Sequence, residues 1–399
     1  MILAADWVVP MDGPPIADAC VEVEEGRIVA VRPANGGEGE RFRNAVILPG
    51  LVNAHTHLEY TAMAGFGDGL PFTPWIADHI RRKDTQAVDD LLDQSRAGAA
   101  ACLAGGVTTV ADCCYAGTVA QAAGEAGLRA IVYLEGFSVW EGLEGRIEAA
   151  LDALPVSELV TAGVSPHAPF TVTHSDYAML VGLARRRGLP VATHLLESSR
   201  ETEHLDAFRD VLGPDTVAVH AVLVNEEDIA LLAELDVPVA HCPRSNALLG
   251  CGIAPLTELL DEGVRVGLGT DSPSSAIDFD LWAEMRTAVM LQRARTGRAD
   301  ALSAHTALEL ATTRAAAAVG LSDTIGSLAP GKAADLLVLD LTGSSFLPWD
   351  DPVTAAVYGG SPGRVALTMV AGEIRYRRGE RELLTATAAR AKMIEAEPG

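Results

Sequence analysis

Two histidines one residue apart, His55 and His57, follow a short apolar run and are the residues of this chain best placed to bind a metal ion. Side chains at positions i and i+2 of an extended segment point to the same side, so both imidazoles can face one cation. Neutral imidazole is a preferred ligand of zinc and similar divalent ions. A strand that merely ends in two solvated polar residues would show the same spacing, so the pair alone leaves both interpretations open.

Further polar residues stand at the ends of apolar, β-branched runs that read as buried strands. Between residues 107 and 271 such runs alternate with Ala/Leu/Glu/Arg-rich segments typical of helices, which indicates a parallel sheet covered on both faces. With the strand before His55 they give the eight strands of a closed barrel, in which functional side chains gather at the carboxyl ends of the strands. An open doubly wound sheet is the alternative, although no Gly-rich dinucleotide fingerprint follows any strand. The polar residues at these ends are His167, His194, Glu197, His220, Arg244 and Asp271.

The two ends of the chain have a different pattern. Residues 1–48 and 326–378 alternate strand-like runs with turns, and neither end has enough β-structure for a core of its own. The predicted fold is therefore α/β: a (β/α)8 TIM-like barrel over residues 49–325 beside a small β-sandwich built from both ends, 1–48 and 326–399. The tail from Glu380 is predicted to be a helix.

Composition excludes several classes of protein. The net charge of −24 would repel phosphate backbones, so nucleic-acid binding is not expected. The sequence has no apolar stretch long enough for a membrane span, and because its first residues lack a basic segment and a long apolar run, a signal peptide is not expected there. Its six cysteines contain no CxxC pair and are read as reduced thiols, so we expect a cytoplasmic protein.

The segments PGLVNAHTH, SPHAP, THLLES, VAVHAV, HCPRSN and GLGTDSP resemble, in this order, the amidohydrolase superfamily. Over almost its whole length the chain is similar to the branch that contains cytosine, guanine, S-adenosylhomocysteine and aminodeoxyfutalosine deaminases and the triazine hydrolases. The resemblance implies that His55, His57, His194 and Asp271 bind one divalent metal ion, zinc or alternatively iron. None of the three lysines lies at the end of a barrel strand, so the carboxylated lysine that bridges two metals in other relatives is not expected.

The resemblance also implies catalytic roles. Glu197 would carry a proton from the attacking water to the substrate, His220 would orient that water, and Asp271 would accept a second proton. Substrate binding is assigned to three residues, each with a structural alternative: Trp75 could stack on a purine or anchor its loop, His167 could contact the substrate or hold a turn, and Arg244 could pair with a substrate carboxylate or brace the Asp271 loop. Four other histidines, at positions 79, 174, 204 and 305, are expected to be surface or helix residues without a role.

The predicted function is that of a metal-dependent hydrolytic deaminase of a 6-aminopurine nucleoside, in which water attacks the amino-bearing ring carbon and ammonia leaves. Aminodeoxyfutalosine is the preferred substrate, since its benzoate could pair with Arg244. The alternatives are an s-triazine or other heteroaromatic amino- or chlorohydrolase, or an S-adenosylhomocysteine, methylthioadenosine or guanine deaminase. The S-adenosylhomocysteine and methylthioadenosine deaminases carry a carboxylate just before the residue that corresponds to Trp75. This chain has Thr73-Pro74 there, which argues against these two substrates. The non-enzyme alternative, a relative that lost catalysis, conflicts with the complete set of site residues. A small-molecule substrate is the expected partner, and a homodimer is expected only by analogy.

Overall fold

The structure is a computed structural model that describes residues 1–199 and 205–379. The predicted helix from Glu380 and the predicted surface residue His204 lie outside these ranges. The strands are β1 Ile2–Val8, β2 Ile16–Glu24, β3 Arg27–Pro33, β4 Glu40–Pro49, β5 Leu51–Thr56, β6 Val107–Cys114, β7 Arg129–Gly136, β8 Val160–Pro166, β9 Val191–Leu195, β10 Thr216–His220, β11 Val239–His241, β12 Val266–Leu268, β13 Leu336–Asp340, β14 Val365–Val370 and β15 Glu373–Arg377.

The helices are named in the same way. They are α1 Phe72–Lys83, α2 Val88–Ala104, α3 Thr118–Ala126, α4 Leu143–Ala153, α5 His174–Arg187, α6 Glu226–Glu234, α7 Pro243–Leu248, α8 Leu256–Asp261, α9 Pro273–Ala276, α10 Leu281–Thr296, α11 Ala304–Leu310, α12 Thr313–Ala318 and α13 Pro352–Gly359. None of the helices in the described ranges is long and apolar enough to cross a membrane.

Strands β5 to β12 form the predicted parallel barrel. They pair in chain order as one eight-stranded sheet in the described part of the chain. The backbone amides of Thr270 and Asp271 both donate to the carbonyl of His55 at 3.0 Å, which joins the region after β12 to β5 and closes the barrel. Every residue of β6 and β7 is buried, as expected for strands that carry no polar face.

Closure of the barrel requires a glycine at position 269. A Cβ there would lie 2.8 Å from the Cβ of His55 and 3.0 Å from the Sγ of Cys242. The segment after β12 can therefore approach β5 only because residue 269 has no side chain. The same close approach brings Asp271 beside the two histidines of β5.

The strands of the two chain ends form a second sheet, as predicted. Its order within the described residues is β15-β14-β13-β4-β1-β2-β3, and all neighbours are antiparallel except β1 and β4. The amide of Ile28 in the edge strand donates to the carbonyl of Lys332 at 2.9 Å, so the sheet curls back toward the segment before β13. Apolar residues from both chain ends fill its core, among them Leu3, Val21, Ile47, Leu336 and Met369. Strand β4 continues through Gly50 into β5, so this sheet leads directly to the first histidines of the site.

Candidate active site and metal centre

Three histidines converge at the carboxyl end of the barrel. His55 and His57 come from the end of β5, and His194 comes from β9. One ligating atom of each lies within 4.8 Å of the others. The Nδ1 atoms of His57 and His194 lie 2.7 Å from the carbonyl of Cys113 and 2.8 Å from that of His167. Because a carbonyl only accepts, both Nδ1 atoms carry the hydrogen, and the lone pair of each neutral ring is on Nε2.

Asp271 adds a carboxylate to these histidines. Its Oδ1 lies 3.4 Å from Nε2 of His55 and 3.5 Å from Nε2 of His57. The other oxygen accepts hydrogen bonds from the hydroxyls of Ser245 at 2.6 Å and Ser275 at 2.7 Å. The two serines therefore fix the carboxylate with one oxygen turned toward the histidines.

The donor set fits a divalent cation. The buried Nε2 of His55 has no hydrogen-bond partner among residues 1–199 and 205–379, although a buried polar atom normally has one. Burial and the neighbouring rings lower the pKa of His57 well below its usual value, and burial lowers the pKa of His194 to about 4, so both rings are neutral at neutral pH. Burial raises the pKa of Asp271, but its interactions with His55 and the other nearby histidines outweigh that effect, and the net pKa is well below the usual value. Neutral imidazoles with one carboxylate suit zinc or ferrous iron.

Glu197 and His220 lie on one side of this cluster. Oε1 of Glu197 is 3.6 Å from Nε2 of His220, and one ligating atom of each lies within 4.8 Å of one of Asp271. The amide of Asn246 donates to Nδ1 of His220 at 3.0 Å, which leaves the ring hydrogen on Nε2, facing Glu197. Two carboxylates and a histidine therefore face the place where a reacting atom would lie beside the metal ligands.

The backbone at these strand ends has an uncommon conformation. Leu196, His220 and Asp271 have φ values of 50°, 77° and 62°, in the left-handed region that residues with side chains rarely adopt. Such conformations persist where the surroundings fix them, and they cluster at functional sites. Here they turn the chain at the ends of three barrel strands, next to the side chains that converge.

A cavity of about 480 Å³ opens above the cluster. Trp75 on α1 lines it, and its indole Nε1 donates to the carbonyl of Ser274 at 3.1 Å, so this side chain lines the cavity and anchors its helix at the same time. His167 also lines the cavity, with Nδ1 2.7 Å from the hydroxyl of Thr171 and its ring centroid 4.8 Å from that of Phe137.

Arg244 has a different environment. It lies in the first turn of α7 and is not among the residues that line this cavity within the described ranges. Its guanidinium donates to Asp278 at 2.7 Å and to the carbonyl of Ala276, and its Nε is 3.6 Å from Oε1 of the fully buried Glu284. These contacts favour the second of the two predicted roles, a brace for the segment that follows Asp271.

Residues that were given no role from the sequence also line the cavity, among them His79, Lys83 and Glu135. His79 is buried rather than exposed, with its ring stacked 5.4 Å from that of Trp75. Lys83 ends α1, and no signal in the sequence indicates that this turn reaches the cavity. Glu135 could have been found, because it is a polar residue at the end of a barrel strand like the others.

An eight-stranded α/β barrel that gathers histidines and carboxylates at its strand ends has the ligands and acid–base groups that a metal-dependent hydrolase needs. Residues 46–375 match the amidohydrolase family. A 5-methylthioadenosine/S-adenosylhomocysteine deaminase from Moorella thermoacetica is 34% identical, over 95% of this chain and 94% of that protein. A 5'-deoxyadenosine deaminase from Methanothermobacter thermautotrophicus is 32% identical, over 93% of this chain and 94% of that protein.

Solved structures show the same relationship. An adenosine deaminase from Xanthomonas campestris with bound zinc is 29% identical and superimposes with a TM-score of 0.90, over 99% of this chain and 97% of that chain. The chain belongs to the amidohydrolase family. It is a hydrolase that acts on C–N bonds, and the family to which it belongs is metal-dependent.

Proposed function

We propose that this enzyme hydrolytically deaminates a 6-aminopurine nucleoside that is modified at the 5' position. The observation that carries the proposal is the convergence of Glu197, His220 and Asp271 beside the histidine cluster, at the floor of a cavity large enough for a nucleoside. The similar proteins from Moorella and Methanothermobacter, which are named as deaminases of 5'-modified adenosines, support the same substrate class.

His55, His57, His194 and Asp271 would hold one divalent ion, with zinc as the first choice and iron as the second. When bound, such an ion lowers the pKa of a coordinated water and so supplies a nucleophile at neutral pH. Glu197 would take a proton from the attacking water and deliver it to the ring nitrogen beside the amino-bearing carbon. His220, held by Asn246, would orient the water through its Nε2 hydrogen, and Asp271 would accept the second proton and pass it to the departing ammonia.

Among 5'-modified adenosines we propose aminodeoxyfutalosine, whose 5' side carries a benzoate. The cation that supports this choice is Lys83 and not Arg244. The Lys83 ammonium lies 3.6 Å from the ring centroid of Tyr115 and 5.4 Å from that of Phe137, and its side chain is 11% exposed. Tyr115, Phe137 and Trp140 pack against one another along the cavity, so an aromatic carboxylate would meet aromatic rings and a positive charge there.

Ammonia release from purified enzyme tests the substrate class. The panel contains aminodeoxyfutalosine, 5'-methylthioadenosine, S-adenosylhomocysteine, adenosine, guanine, cytosine and an aminotriazine, and the bound metal is measured in the same samples. We expect turnover of the 5'-modified adenosines, fastest with aminodeoxyfutalosine, by enzyme that carries about one metal ion per chain. Turnover of the aminotriazine alone, or of none of these compounds, would contradict the proposal.

The Lys83→Met variant tests the specific substrate. A charge-assisted hydrogen bond to a carboxylate contributes enough that its loss should lower kcat/KM for aminodeoxyfutalosine about 10- to 100-fold. The value for 5'-methylthioadenosine, which has no charge at this position, should change less than about threefold. Arg81→Met is the matched control, because Arg81 is an exposed cation of the same helix and pairs with Asp78 outside the cavity. Equal losses on both substrates would rule out a contact between Lys83 and the carboxylate.

We also propose that the enzyme acts in the cytoplasm, since residues 1–199 and 205–379, which contain all six cysteines, form no disulfide bond.

A further inference from the structure

Glu135 is a buried carboxyl group to which the mechanism above gives no role. It is the seventh of the eight residues of β7, its side chain lines the cavity, and only 3% of its surface is exposed. Its Oε1 is fully buried and has no hydrogen-bond partner in the described part of the chain. A buried carboxyl without partners is costly, so a residue of this kind that faces a cavity indicates a ligand.

The surroundings of Glu135 argue against a second metal ion as that ligand. One of its oxygens lies within 4.8 Å of ring nitrogens of His167 and His194, so the three residues form a second cluster. However, Nδ1 of His194 donates to the carbonyl of His167, and Nδ1 of His167 is bonded to Thr171. The remaining nitrogen of His194 belongs to the first cluster, with His55 and His57. Two ions cannot share that single lone pair.

The surroundings also show that no protein group neutralises Glu135. Burial raises the pKa of Glu135 to about 8 although Lys83 opposes the rise, and no ion pair within 4.0 Å joins Glu135 to a cation in residues 1–199 and 205–379. The Lys83 ammonium instead lies against the Tyr115 ring, with Asp84 at 3.6 Å. Glu135 is therefore available to accept hydrogen bonds from a molecule in the cavity.

Several other acceptors that line the cavity are already engaged. Glu197 and Asp271 lie at the metal ligands, and the hydroxyl of Thr171 is shared between His167 and the carbonyl of Ala168. The hydroxyls of Ser272 and Ser274 bond to each other, and Asp84 is more than half exposed at the rim. Glu135 is a buried carboxyl that lies close to the metal ligand His194 and has no role in the proposed proton transfers.

We propose that Glu135 accepts a hydrogen bond from a ribose hydroxyl of the substrate and so sets the specificity of the enzyme for ribonucleosides. This inference rests on the proposed function. A nucleoside whose amino-bearing carbon lies at Glu197 and Asp271 places its sugar one ring away, and the sugar hydroxyls are donors that require an acceptor. The position of Glu135 next to His167, beyond the metal ligands, meets this requirement. Its role is in substrate recognition, and it takes no part in the proton transfers.

The test is a cycle that changes the enzyme and the substrate together. In the wild-type enzyme, removal of the 2'- or the 3'-hydroxyl from 5'-methylthioadenosine should lower kcat/KM about 10- to 100-fold, because the buried carboxyl is left without its hydrogen-bond partner. In Glu135→Met, kcat/KM for the ribonucleoside should fall by the same factor. For the matching deoxy compound, kcat/KM of this variant should be less than about threefold below the wild-type value. Glu141→Gln, an exposed carboxyl in the loop after β7, is the control that should behave as wild type.

Several outcomes separate this inference from the proposed function. In the first, the wild-type enzyme deaminates ribonucleosides while Glu135→Met still loses as much kcat/KM as wild type when the ribose hydroxyl is removed. That result would overturn the role of Glu135 and leave the proposed function intact. A wild-type enzyme that releases ammonia from no nucleoside and binds no inosine would overturn both. Equal loss for all nucleosides together with a lower melting temperature would show a purely structural role and also overturn the inference.

Stability gives a second measurement that does not depend on activity. Since Glu135 is buried without a partner, replacing it with Met should leave Tm unchanged or raise it, as is typical where a binding residue lowers stability. Glu135→Gln, which keeps the shape and one acceptor, should recover part of the discrimination between ribose and deoxyribose. A Glu135→Gln variant with discrimination no better than that of Glu135→Met and a lower Tm than wild type would contradict the proposal.

Discussion

Replacement of Arg244 by Met should damage the fold and all substrates alike. The Arg244 side chain is 12% exposed, and Glu284 beside it is fully buried, accepting a hydrogen bond from the Arg244 backbone amide at 3.0 Å. Burial raises the pKa of Glu284 well above its usual value, and the Arg244 charge opposes that rise. Without the guanidinium, Glu284 would keep one hydrogen bond from the backbone and no cation at its other oxygen.

The magnitude follows from this burial. Breaking a buried ion pair by removing one partner costs about 3–5 kcal/mol, and we expect the lower value because Glu284 can take up a proton. At about 2.1 cal/mol/K per residue for the entropy of unfolding, a loss of about 3 kcal/mol in 399 residues lowers Tm by about 3–4 °C. The double variant Arg244→Met/Glu284→Gln removes the buried charge and should recover about 1–2 kcal/mol.

Catalysis should fall by the same factor for every substrate. Arg244 holds the carbonyls of Ala276 and Asp280 in the segment whose Ser275 fixes Asp271, so its loss displaces the site and not one substrate group. We expect kcat/KM to fall about 10- to 100-fold for both aminodeoxyfutalosine and 5'-methylthioadenosine. Thermal unfolding and steady-state kinetics measure the two effects. An unchanged Tm, with a loss confined to the carboxylated substrate, would refute the reasoning and restore Arg244 as a substrate ligand.

Three further predictions concern the metal centre. Removal of the metal with a chelator should lower Tm, and added zinc should restore it. Zinc binding should raise the free energy of unfolding by about 2.7 kcal/mol when free zinc is at 100 times its Kd. Equal Tm values with and without metal would contradict the ligand assignment. Gly269→Ala should reduce metal content per chain, because the new Cβ would press on His55 at 2.8 Å, whereas Gly124→Ala, with open space around it, should not. Asp112→Asn should weaken metal affinity about 10- to 100-fold, since Asp112 accepts hydrogen bonds from Thr56 at 2.6 Å and Leu58 at 2.7 Å on either side of His57; unchanged affinity in a metal titration would count against this.

The barrel could be predicted because its sequence signal is local and repeated. Runs such as β6 and β7 are mostly apolar and show no polar face, and helices of ordinary length separate them, so the parallel arrangement follows from the sequence pattern. The histidines could be placed together for the same reason: the carboxyl ends of parallel strands meet at one end of a barrel. Each of these predictions depends on strand order and direction and not on the conformation of any one side chain.

The substrate-facing residues could not be predicted in this way. Arg244 follows β11 in the sequence, but Pro243 begins α7 there and the side chain turns toward Glu284 and away from the cavity. Lys83 reaches the cavity only because α1 carries it there from the loop after β5, and the length and path of that loop have no periodic signal. Whether a charged residue near a strand end faces the substrate or the protein depends on a single turn of backbone.

Residues with left-handed backbone conformation explain why the geometry at the strand ends could not be predicted, although the strands themselves could. Leu196, His220 and Asp271 leave the regular strand conformation at the point where the side chains are needed, at a cost of about 1–3 kcal/mol each. Neighbouring contacts hold the resulting geometry: Asn246 fixes His220, and Ser245 and Ser275 fix Asp271. Ser245 and Asn246 both belong to α7, the helix that Arg244 ties to Glu284. Arg244, for which the sequence left a substrate contact and a structural role open, therefore helps to hold three strained strand ends in the orientation that brings their side chains together.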